Sequence, residues 1–197
     1  MNAAHRNIYK NALNISHLLA RCRVKTGDRV IDATCGQGHD TVFLAELVGE
    51  EGRVWAFDIQ AEAVVSTRAL IEQRGLAARV EVVHEDHRFM DRYVGEPVSL
   101  VMFNLGYLPG GDHRISTAPR TSIDALEKAI GLLGEAGSIT LVCYTGHPGG
   151  REELQALKEY LAGIPQNYLE VIEISFLNQL NNPAVLLLLN KLNGGIR

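Results

Sequence analysis

Apolar residues fall into short continuous runs along most of the chain, and segments with helical spacing lie between most of them. The runs predicted as buried strands are RVIDA (29–33), VWAFD (54–58), RVEVVH (79–84), VSLVMFN (98–104) and SITLVCY (138–144). Because polar and apolar residues do not alternate within these runs, they are typical of parallel strands covered on both faces. The predicted helices cover residues 41–49, 61–74 and 121–133 and a segment from GHPGG (146–150) to Gly163.

The last two apolar runs follow each other without a helix. LEVIEISFL (169–177) and AVLLLLN (184–190) are joined by a short NQLNNP connection, which predicts a hairpin. The whole pattern predicts an α/β fold, a doubly wound, mostly parallel sheet with helices on both faces and an antiparallel edge. In such sheets ligands bind at the carboxyl ends of the strands, beside the point where the strand order reverses.

The first 22 residues predict an amphipathic helix with a basic outer stripe, packed near the active site. Its apolar side would carry Ile8, Ala12, Ile15, Leu19 and Cys22, and its polar side Arg6, Lys10, His17 and Arg21. Residues 1–25 contain five basic residues and no acidic residue. A solvated helix face and a phosphate-binding face are both compatible with this stripe.

Composition narrows the class of protein. A chain of 197 residues with 46% hydrophobic and 21% charged residues predicts one globular domain over residues 1–197. The N-terminus lacks an apolar signal core and no run is long enough for a membrane span, so a cytoplasmic location is expected. Three widely spaced cysteines argue against a disulfide framework or a zinc site. The sequence does not fix the oligomeric state, and a homodimer is compatible with it.

A glycine-rich turn, IDATCGQGHDT (31–41), follows the first strand. Two glycines would let the backbone turn tightly, but Thr41 stands where a dinucleotide-binding fingerprint has its third glycine. Asp32 and Asp40 flank the turn, and these carboxylates would repel a pyrophosphate and favour a cationic ligand. Asp58 ends the second strand, where an acidic side chain can bind both hydroxyls of a ribose. Asp86 follows the third strand and could accept a hydrogen bond from an adenine amino group.

A ligand with an adenine, a ribose and a positive charge but no phosphate is S-adenosylmethionine. Acidic residues after successive strands therefore predict a site for this cofactor. The residues predicted to bind it are Asp32, Thr34, Cys35, Gly36, Gly38, His39, Asp40, Thr41, Asp58, Ile59, Gln60, Asp86, His87 and Asn104.

Four motifs resemble one known group of enzymes. VIDATCGQGHDT, FDIQ, FNLGYLPGGDH and YTGHPGG, in this order and spacing, resemble the small class I methyltransferases of the YtqB or MnmM type, also described as "putative rRNA methylases". The resemblance runs from the N-terminal helix to the last strand. It implies a Rossmann-like seven-stranded fold, no metal, and N-methylation of the 5-aminomethyl group on the wobble 2-thiouridine of tRNA.

NLGY (104–107) ends the fourth strand and is the predicted catalytic segment. Amino methyltransferases commonly carry a tetrapeptide here with Asn, Asp or Ser first and an aromatic residue fourth. The Asn104 amide oxygen and the Leu105 carbonyl could accept the N–H groups of a neutral amine, which leaves its lone pair directed at the methyl group. Tyr107 could stack on the uracil ring, while Gly110 and Gly111 leave room for the base.

Other residues near these motifs are candidates for proton transfer or RNA binding. An alkyl amine must lose a proton before or during attack, and His113, His147 and His87 are candidate acceptors, although each could instead bind phosphate or cap a loop. Tyr144 is expected to face the base. The residues expected near anticodon phosphates are Arg114, Arg120 and Arg151. The HEDH segment (84–87) is discounted as a metal site because no third ligand is near in sequence.

Three alternatives stay open at this point. The acceptor could be an rRNA cytosine amino group or a small-molecule amine. The same fold could carry a nicotinamide-dependent oxidoreductase, although Thr41 and the acidic turn argue against it. A module that binds S-adenosylmethionine without catalysis would share the same cofactor residues. A hydrolase is set aside because no GxSxG segment follows a predicted strand.

Overall fold

The architecture is that of a computed structural model, which describes residues 9–106 and 117–192. Within these residues seven strands form one sheet: β1 (Arg29–Asp32), β2 (Arg53–Asp58), β3 (Val80–His84), β4 (Val98–Leu105), β5 (Leu133–Cys143), β6 (Leu169–Ile174) and β7 (Val185–Lys191). The strand order is β3-β2-β1-β4-β5-β7-β6, with β6 and β7 antiparallel to their neighbours and the remaining pairs parallel. The predicted fold class is confirmed.

Helices cover both faces of this sheet. They are α1 (Ala12–Arg23), α2 (His39–Val48), α3 (Ala61–Gln73), α4 (Pro119–Leu132) and α5 (Gly150–Ala162), with short 3-10 helices at Ala77–Arg79 and His87–Arg92. One core cluster joins α1, α2 and α3 to one face of the sheet, and another joins α4 and α5 to the other face. Strands β1 and β4 are buried at their centres because helices lie on both sides of them.

Two strand boundaries differ from the predicted ones by three residues or more, and pairing explains both. Strand β6 ends at Ile174 rather than at 177, because its partner β7 begins at Val185 and the last pair joins Ile174 to Leu186. Strand β5 begins at Leu133, where a register shift against β4 loops out the residues before Ser138. Ala136 in that loop has a positive φ of 54°.

The N-terminal helix is only partly as predicted. Ala12 and Ile15 are buried, whereas Cys22, predicted on the apolar side, is exposed. His17, predicted on the polar outer side, is only 27% exposed at its side chain and faces α2. Both errors arise because α1 packs against β4, β5 and β7 and lies beside α2, so its buried residues are set by these neighbours and not by the helical wheel alone. Arg6 and Ile8 lie outside the described residues.

Candidate active site

Strand order reverses at β1, which has β2 on one side and β4 on the other. The backbones leaving β1 and β4 stay joined beyond the sheet, because the Ala33 N–H donates to the Met102 carbonyl at 2.8 Å. The Asn104 N–H then donates to the Thr34 hydroxyl oxygen at 2.7 Å. These bonds place the predicted turn and the predicted catalytic segment side by side, at the position where open α/β sheets bind ligands.

A chain of hydrogen bonds runs through this position. The Asn104 Nδ2 group donates to Asp40 Oδ2 at 2.7 Å, and the other oxygen, Asp40 Oδ1, is 2.7 Å from His17 Nε2. Because a carboxylate can only accept, the NH2 group of Asn104 must face Asp40 and its oxygen must face away. The Asn104 Oδ1 atom is buried and has no hydrogen-bond partner. A buried acceptor of this kind is costly unless a ligand satisfies it.

Asp32 is completely buried behind this chain. Its side chain accepts a hydrogen bond from the Thr41 hydroxyl at 2.6 Å and another from the Thr34 N–H at 3.2 Å. Burial, with the neighbouring Asp40 charge as the second cause, raises the pKa of Asp32 to about 7. We call Asp32, Asp40 and Asn104 the β1–β4 rim. Thr41, which replaces a fingerprint glycine, therefore serves as a hydrogen-bond donor to a buried carboxyl group.

The acidic residues at the ends of β2 and β3, Asp58 and Asp86, form a second group, which we call the β2–β3 rim. The two oxygens of Asp58 accept the backbone N–H groups of Gly36 and Gln60, both at 2.9 Å. Each oxygen keeps a further lone pair for a ribose hydroxyl. Asp58 thus links the glycine turn to the start of α3.

The carboxylate of Asp86 already has hydrogen-bond partners two residues away in sequence, which the prediction did not consider. Its carboxylate accepts hydrogen bonds from the Arg88 backbone and guanidinium group, at 2.9 and 3.0 Å. Desolvation works to raise the pKa of Asp86, but the hydrogen bonds from Arg88 outweigh it and lower the pKa. An adenine amino group would have to share these oxygens, so the role of Asp86 stays a prediction.

Packing against α3 requires one of the glycines in the turn after β1. Gly38 has a φ of 83°, and a Cβ atom at this residue would lie 3.0 Å from the Thr67 Cα atom on α3. Only glycine allows that approach, so close helix packing is provided here by Gly38 rather than by a third fingerprint glycine. Gly36 also has a positive φ, 51°, and its carbonyl accepts the Thr67 hydroxyl at 3.0 Å.

Of the other residues predicted to bind the cofactor, Cys35 is buried, whereas His39 and Ile59 are exposed. The Cys35 N–H donates to the Phe57 carbonyl at 2.8 Å, and burial raises the pKa of its thiol. That thiol is therefore protonated at neutral pH and inert. His39 and Ile59 are exposed at the start of α2 and before α3.

His87 is the described histidine whose protonation the surroundings define most clearly. Its Nδ1 atom is 3.0 Å from the Ala33 carbonyl oxygen and must carry a hydrogen, which leaves the Nε2 lone pair in the neutral ring. Burial lowers the pKa of His87, which favours this neutral form. The ring packs edge-on against Phe103, with 5.7 Å between centroids.

Residues of the predicted substrate side lie around the end of β5. Tyr144 is 41% exposed, and burial, followed by the Asp40 charge, raises the pKa of its phenol. The Tyr144 N–H donates to the Leu105 carbonyl at 3.0 Å, so one lone pair of this predicted amine acceptor is already used. The His147 ring lies beside Gly106 and Gly150. Arg151 is exposed and donates to the Asn182 side chain at 2.5 Å.

Five predicted site residues lie outside the described residues, so their predicted roles stay predictions: Tyr107, Gly110, Gly111, His113 and Arg114. Within residues 9–106 and 117–192 no group of three or more His, Cys, Asp or Glu side chains could hold a metal ion. No helix in the same residues is long and apolar enough to cross a membrane.

Two polar residues, His17 and Glu153, make contacts between elements that the sequence did not reveal. His17 was grouped with basic surface residues, and nothing in its local sequence indicates the contact with Asp40. Glu153, in the first turn of α5, is 2% exposed and accepts hydrogen bonds from Thr117 and Ser122, at 2.8 and 2.5 Å. An acidic residue in a first helical turn is common enough to be read as a surface feature. Glu153 joins the chain entering α4 to α5.

The two rims suit S-adenosylmethionine. Buried and half-buried carboxylates at neighbouring strand ends favour a cation, and Asp58 keeps lone pairs for ribose hydroxyls. When bound, this cofactor supplies an electrophilic methyl group on a sulfonium. The fold and the site together define a class I S-adenosylmethionine-dependent methyltransferase.

Comparison with known proteins supports the same class. A family model described as "Putative rRNA methylase" matches residues 54–190. A chloroplastic tRNA (mnm(5)s(2)U34)-methyltransferase of Arabidopsis thaliana is 37% identical over 194 residues, which cover 93% of this chain and 71% of that protein. The chain belongs to this methylase family.

Solved structures show the same relationship. The crystal structure of a "putative rRNA-methylase" from Clostridium thermocellum is 48% identical, with a TM-score of 0.91 and coverage of 93% of this chain and 98% of that chain. A "putative methyltransferase" from Streptococcus mutans, solved in complex with SAH, is 33% identical, with a TM-score of 0.85 and coverage of 93% of this chain and 99% of that chain. The cofactor of the present enzyme is accordingly S-adenosylmethionine.

Proposed function

We propose that this methyltransferase acts on the 5-aminomethyl group of the wobble 2-thiouridine in tRNA, converting nm5s2U to mnm5s2U in the cytoplasm. The observation that carries the proposal is the buried Asn104 Oδ1 atom without a partner. An acceptor that faces away from Asp40 can receive an N–H bond from an amine. A carbon nucleophile has no such hydrogen to donate, so the site favours nitrogen.

Methyl transfer to an amine depends mainly on aligning the two reactants and does not require a covalent enzyme intermediate. The reaction is an in-line displacement, in which the nitrogen lone pair must point at the methyl carbon. An N–H bond to Asn104 Oδ1 would fix one substituent of the nitrogen and so restrict the direction of its lone pair. The Asp40 carboxylate, which holds the Asn104 amide, lies nearby and favours a positively charged amine at the site.

The amine must also reach its neutral form. Ammonium has no lone pair, so a proton has to leave before or during attack. His87 carries a lone pair on Nε2 in its neutral ring and lies at the end of β3, next to the β1–β4 rim through its bond to Ala33. His147 and His113 remain the other proposed acceptors.

Two observations support tRNA as the substrate: the name of one relative and the residues exposed on the surface of this chain. The Arabidopsis thaliana protein at 37% identity is named for position U34 of tRNA. Arg120 and Arg151 are exposed and lie at the starts of α4 and α5, the helices that follow β4 and β5 along the chain. Both could contact anticodon phosphates, while Tyr144, half exposed at the end of β5, offers an aromatic surface to a base.

The test is to incubate the enzyme with S-adenosylmethionine and tRNA that carries 5-aminomethyl-2-thiouridine, and to digest the product to nucleosides for mass spectrometry. We expect a gain of one methyl group on that nucleoside alone. Matched reactions contain tRNA that lacks the aminomethyl group, purified rRNA and simple alkyl amines. Methylation of rRNA or of a free amine, with the modified tRNA unchanged, would overturn the proposal.

A further inference from the structure

His17 connects the first helix to the β1–β4 rim. Its Nε2 atom lies 2.7 Å from Asp40 Oδ1, and its ring stacks on Phe43 with 4.1 Å between centroids and 10° between planes. Asp40 is itself only 9% exposed. The imidazole therefore contacts one oxygen of a nearly buried carboxylate whose other oxygen holds the Asn104 amide.

The orientation of Asn104 depends on the state of Asp40. An ionised Asp40 can only accept hydrogen bonds, so the amide must turn its NH2 group inward and its oxygen toward the ligand. A protonated Asp40 could donate to the amide oxygen instead. The amide would then rotate by half a turn and present NH2 to the ligand, where it would repel an amine N–H. Orientation and reactivity are thus coupled through one carboxyl group.

The groups that contact Asp40 determine how its carboxylate is held. The charge of Asp40 is one of the causes that raise the pKa of Asp32 on β1, so the two carboxyl groups lie close together. Among the described residues, the other titratable groups that interact with Asp40 are the Tyr144 phenol at the end of β5 and the His17 imidazole on α1. Of these, His17 makes a hydrogen bond to Asp40. Arg21, one turn further along α1, packs over the Phe43 ring at 4.8 Å from its centroid.

We propose that His17 is a positioning residue, which holds Asp40 as a hydrogen-bond acceptor and so keeps the Asn104 oxygen directed at the acceptor amine. The inference rests on the proposed amine substrate for its kinetic consequence. It does not make His17 a catalytic residue, because its contacts are with Asp40 and Phe43. It assigns α1 a part in catalysis in addition to any contact with RNA.

Two substitutions at this residue separate the hydrogen bond from the ring. His17→Phe keeps an aromatic ring to stack on Phe43 but cannot donate to Asp40, whereas His17→Gln keeps an N–H donor without the ring. We expect His17→Phe to lower kcat by roughly 10- to 100-fold, the usual effect of losing a residue that orients a functional group. The Kd for S-adenosylmethionine should stay close to that of the unaltered enzyme, and His17→Gln should retain most of kcat.

The thermal midpoint of each variant shows whether it is folded. If His17 serves only to pack against Phe43, the order reverses: His17→Gln loses more stability and activity than His17→Phe. That result, or a His17→Phe enzyme with unchanged kcat, would overturn the inference.

A readout without substrate separates this inference from the proposed function. Hydrogen exchange of the Asn104 side-chain NH2 group can be followed by NMR, with the resonance assigned by its loss in Asn104→Asp. We expect faster exchange in His17→Phe than in His17→Gln. Equal exchange in both variants and the unaltered protein would contradict the inference even if tRNA proved not to be the substrate. If the unaltered enzyme does not methylate this tRNA, only the proposed function is overturned.

Discussion

The two acidic rims of the sheet differ in how their side chains are held. In the β1–β4 rim, Asp40 and Asn104 come from different elements and hydrogen-bond to each other, with Asp32 buried behind them. In the β2–β3 rim, Asp58 and Asp86 bond mainly to backbone and to near neighbours in sequence. The first arrangement fixes an orientation, whereas the second stabilises turns and keeps oxygens accessible.

This difference assigns different tasks to residues of the same chemical type. A side chain held by partners from other elements can direct a reacting atom, because its own rotation is restricted. A carboxylate held at a turn can bind a hydroxyl group without setting the direction of a reaction. We therefore expect substitutions in the β1–β4 rim to change turnover, and substitutions in the β2–β3 rim to change cofactor affinity.

The largest expected effect is that of Asn104→Ala in the β1–β4 rim. Removing the amide oxygen removes the predicted contact with the amine, and kcat should fall by about 10²- to 10³-fold, as for loss of a single polar group at a reacting centre. Cofactor affinity, measured by calorimetry, should stay nearly unchanged. Full activity in this variant would eliminate the role given to the amide.

Asp32→Asn tests the buried acid of the same rim through stability. Because the folded-state pKa of Asp32, about 7, lies above its ordinary value of 3.8, the folded protein binds the extra proton between these values. Stability from this group is therefore present at low pH and lost as pH rises toward and through 7, by roughly 2 to 3 kcal/mol between pH 5 and 8. In urea unfolding, Asp32→Asn should lose less stability than the unaltered protein over this interval. Equal losses would show that Asp32 is ionised throughout.

Asp58→Asn tests the β2–β3 rim. A hydrogen bond from a hydroxyl to a charged acceptor contributes about 1.5–3 kcal/mol, so the Kd for S-adenosylmethionine should rise by roughly 10- to 100-fold. At saturating cofactor most of kcat should remain, the opposite of the pattern for Asn104→Ala. Asp86→Asn is the matched control, with a smaller change in Kd because the charge of its carboxylate is already paired with the Arg88 guanidinium group at 2.9 Å. A larger effect at Asp86 than at Asp58 would reverse this assignment.

The smallest expected effect concerns the glycine turn between the rims. Gly38 and Gly149 precede α2 and α5 with nearly equal φ values, 83° and 84°, but only Gly38 has close neighbours at the Cβ position. Gly149→Ala should lower the free energy of unfolding by about 1–2 kcal/mol, because alanine is strained in the left-handed conformation. Gly38→Ala should cost about 1 kcal/mol more because of contact with Thr67. Equal free energies of unfolding would mean that α3 moves away without cost.

The order of strands and helices was predictable because apolar runs and helical spacing are local patterns. The position of the turn after β1 and of the acidic residues after the strands was also predictable, since side chains after parallel strands must meet at one edge of the sheet, while their functional roles stay predictions. His17 and Glu153 were not found, because their roles depend on partners on other elements. The roles predicted for Asp86 and Leu105 ignored neighbours that already use their oxygens.

The sequence by itself determined the α/β fold, the acidic character of the strand ends and the family of the enzyme, because these depend on spacing and residue type along the chain. Only the tertiary structure decided which carboxyl group is buried, which has a raised pKa and which way the Asn104 amide faces. Those properties come from contacts among α1, α2, β1 and β4. Burial and hydrogen-bond direction are properties of such three-dimensional neighbours, and a linear pattern does not specify them.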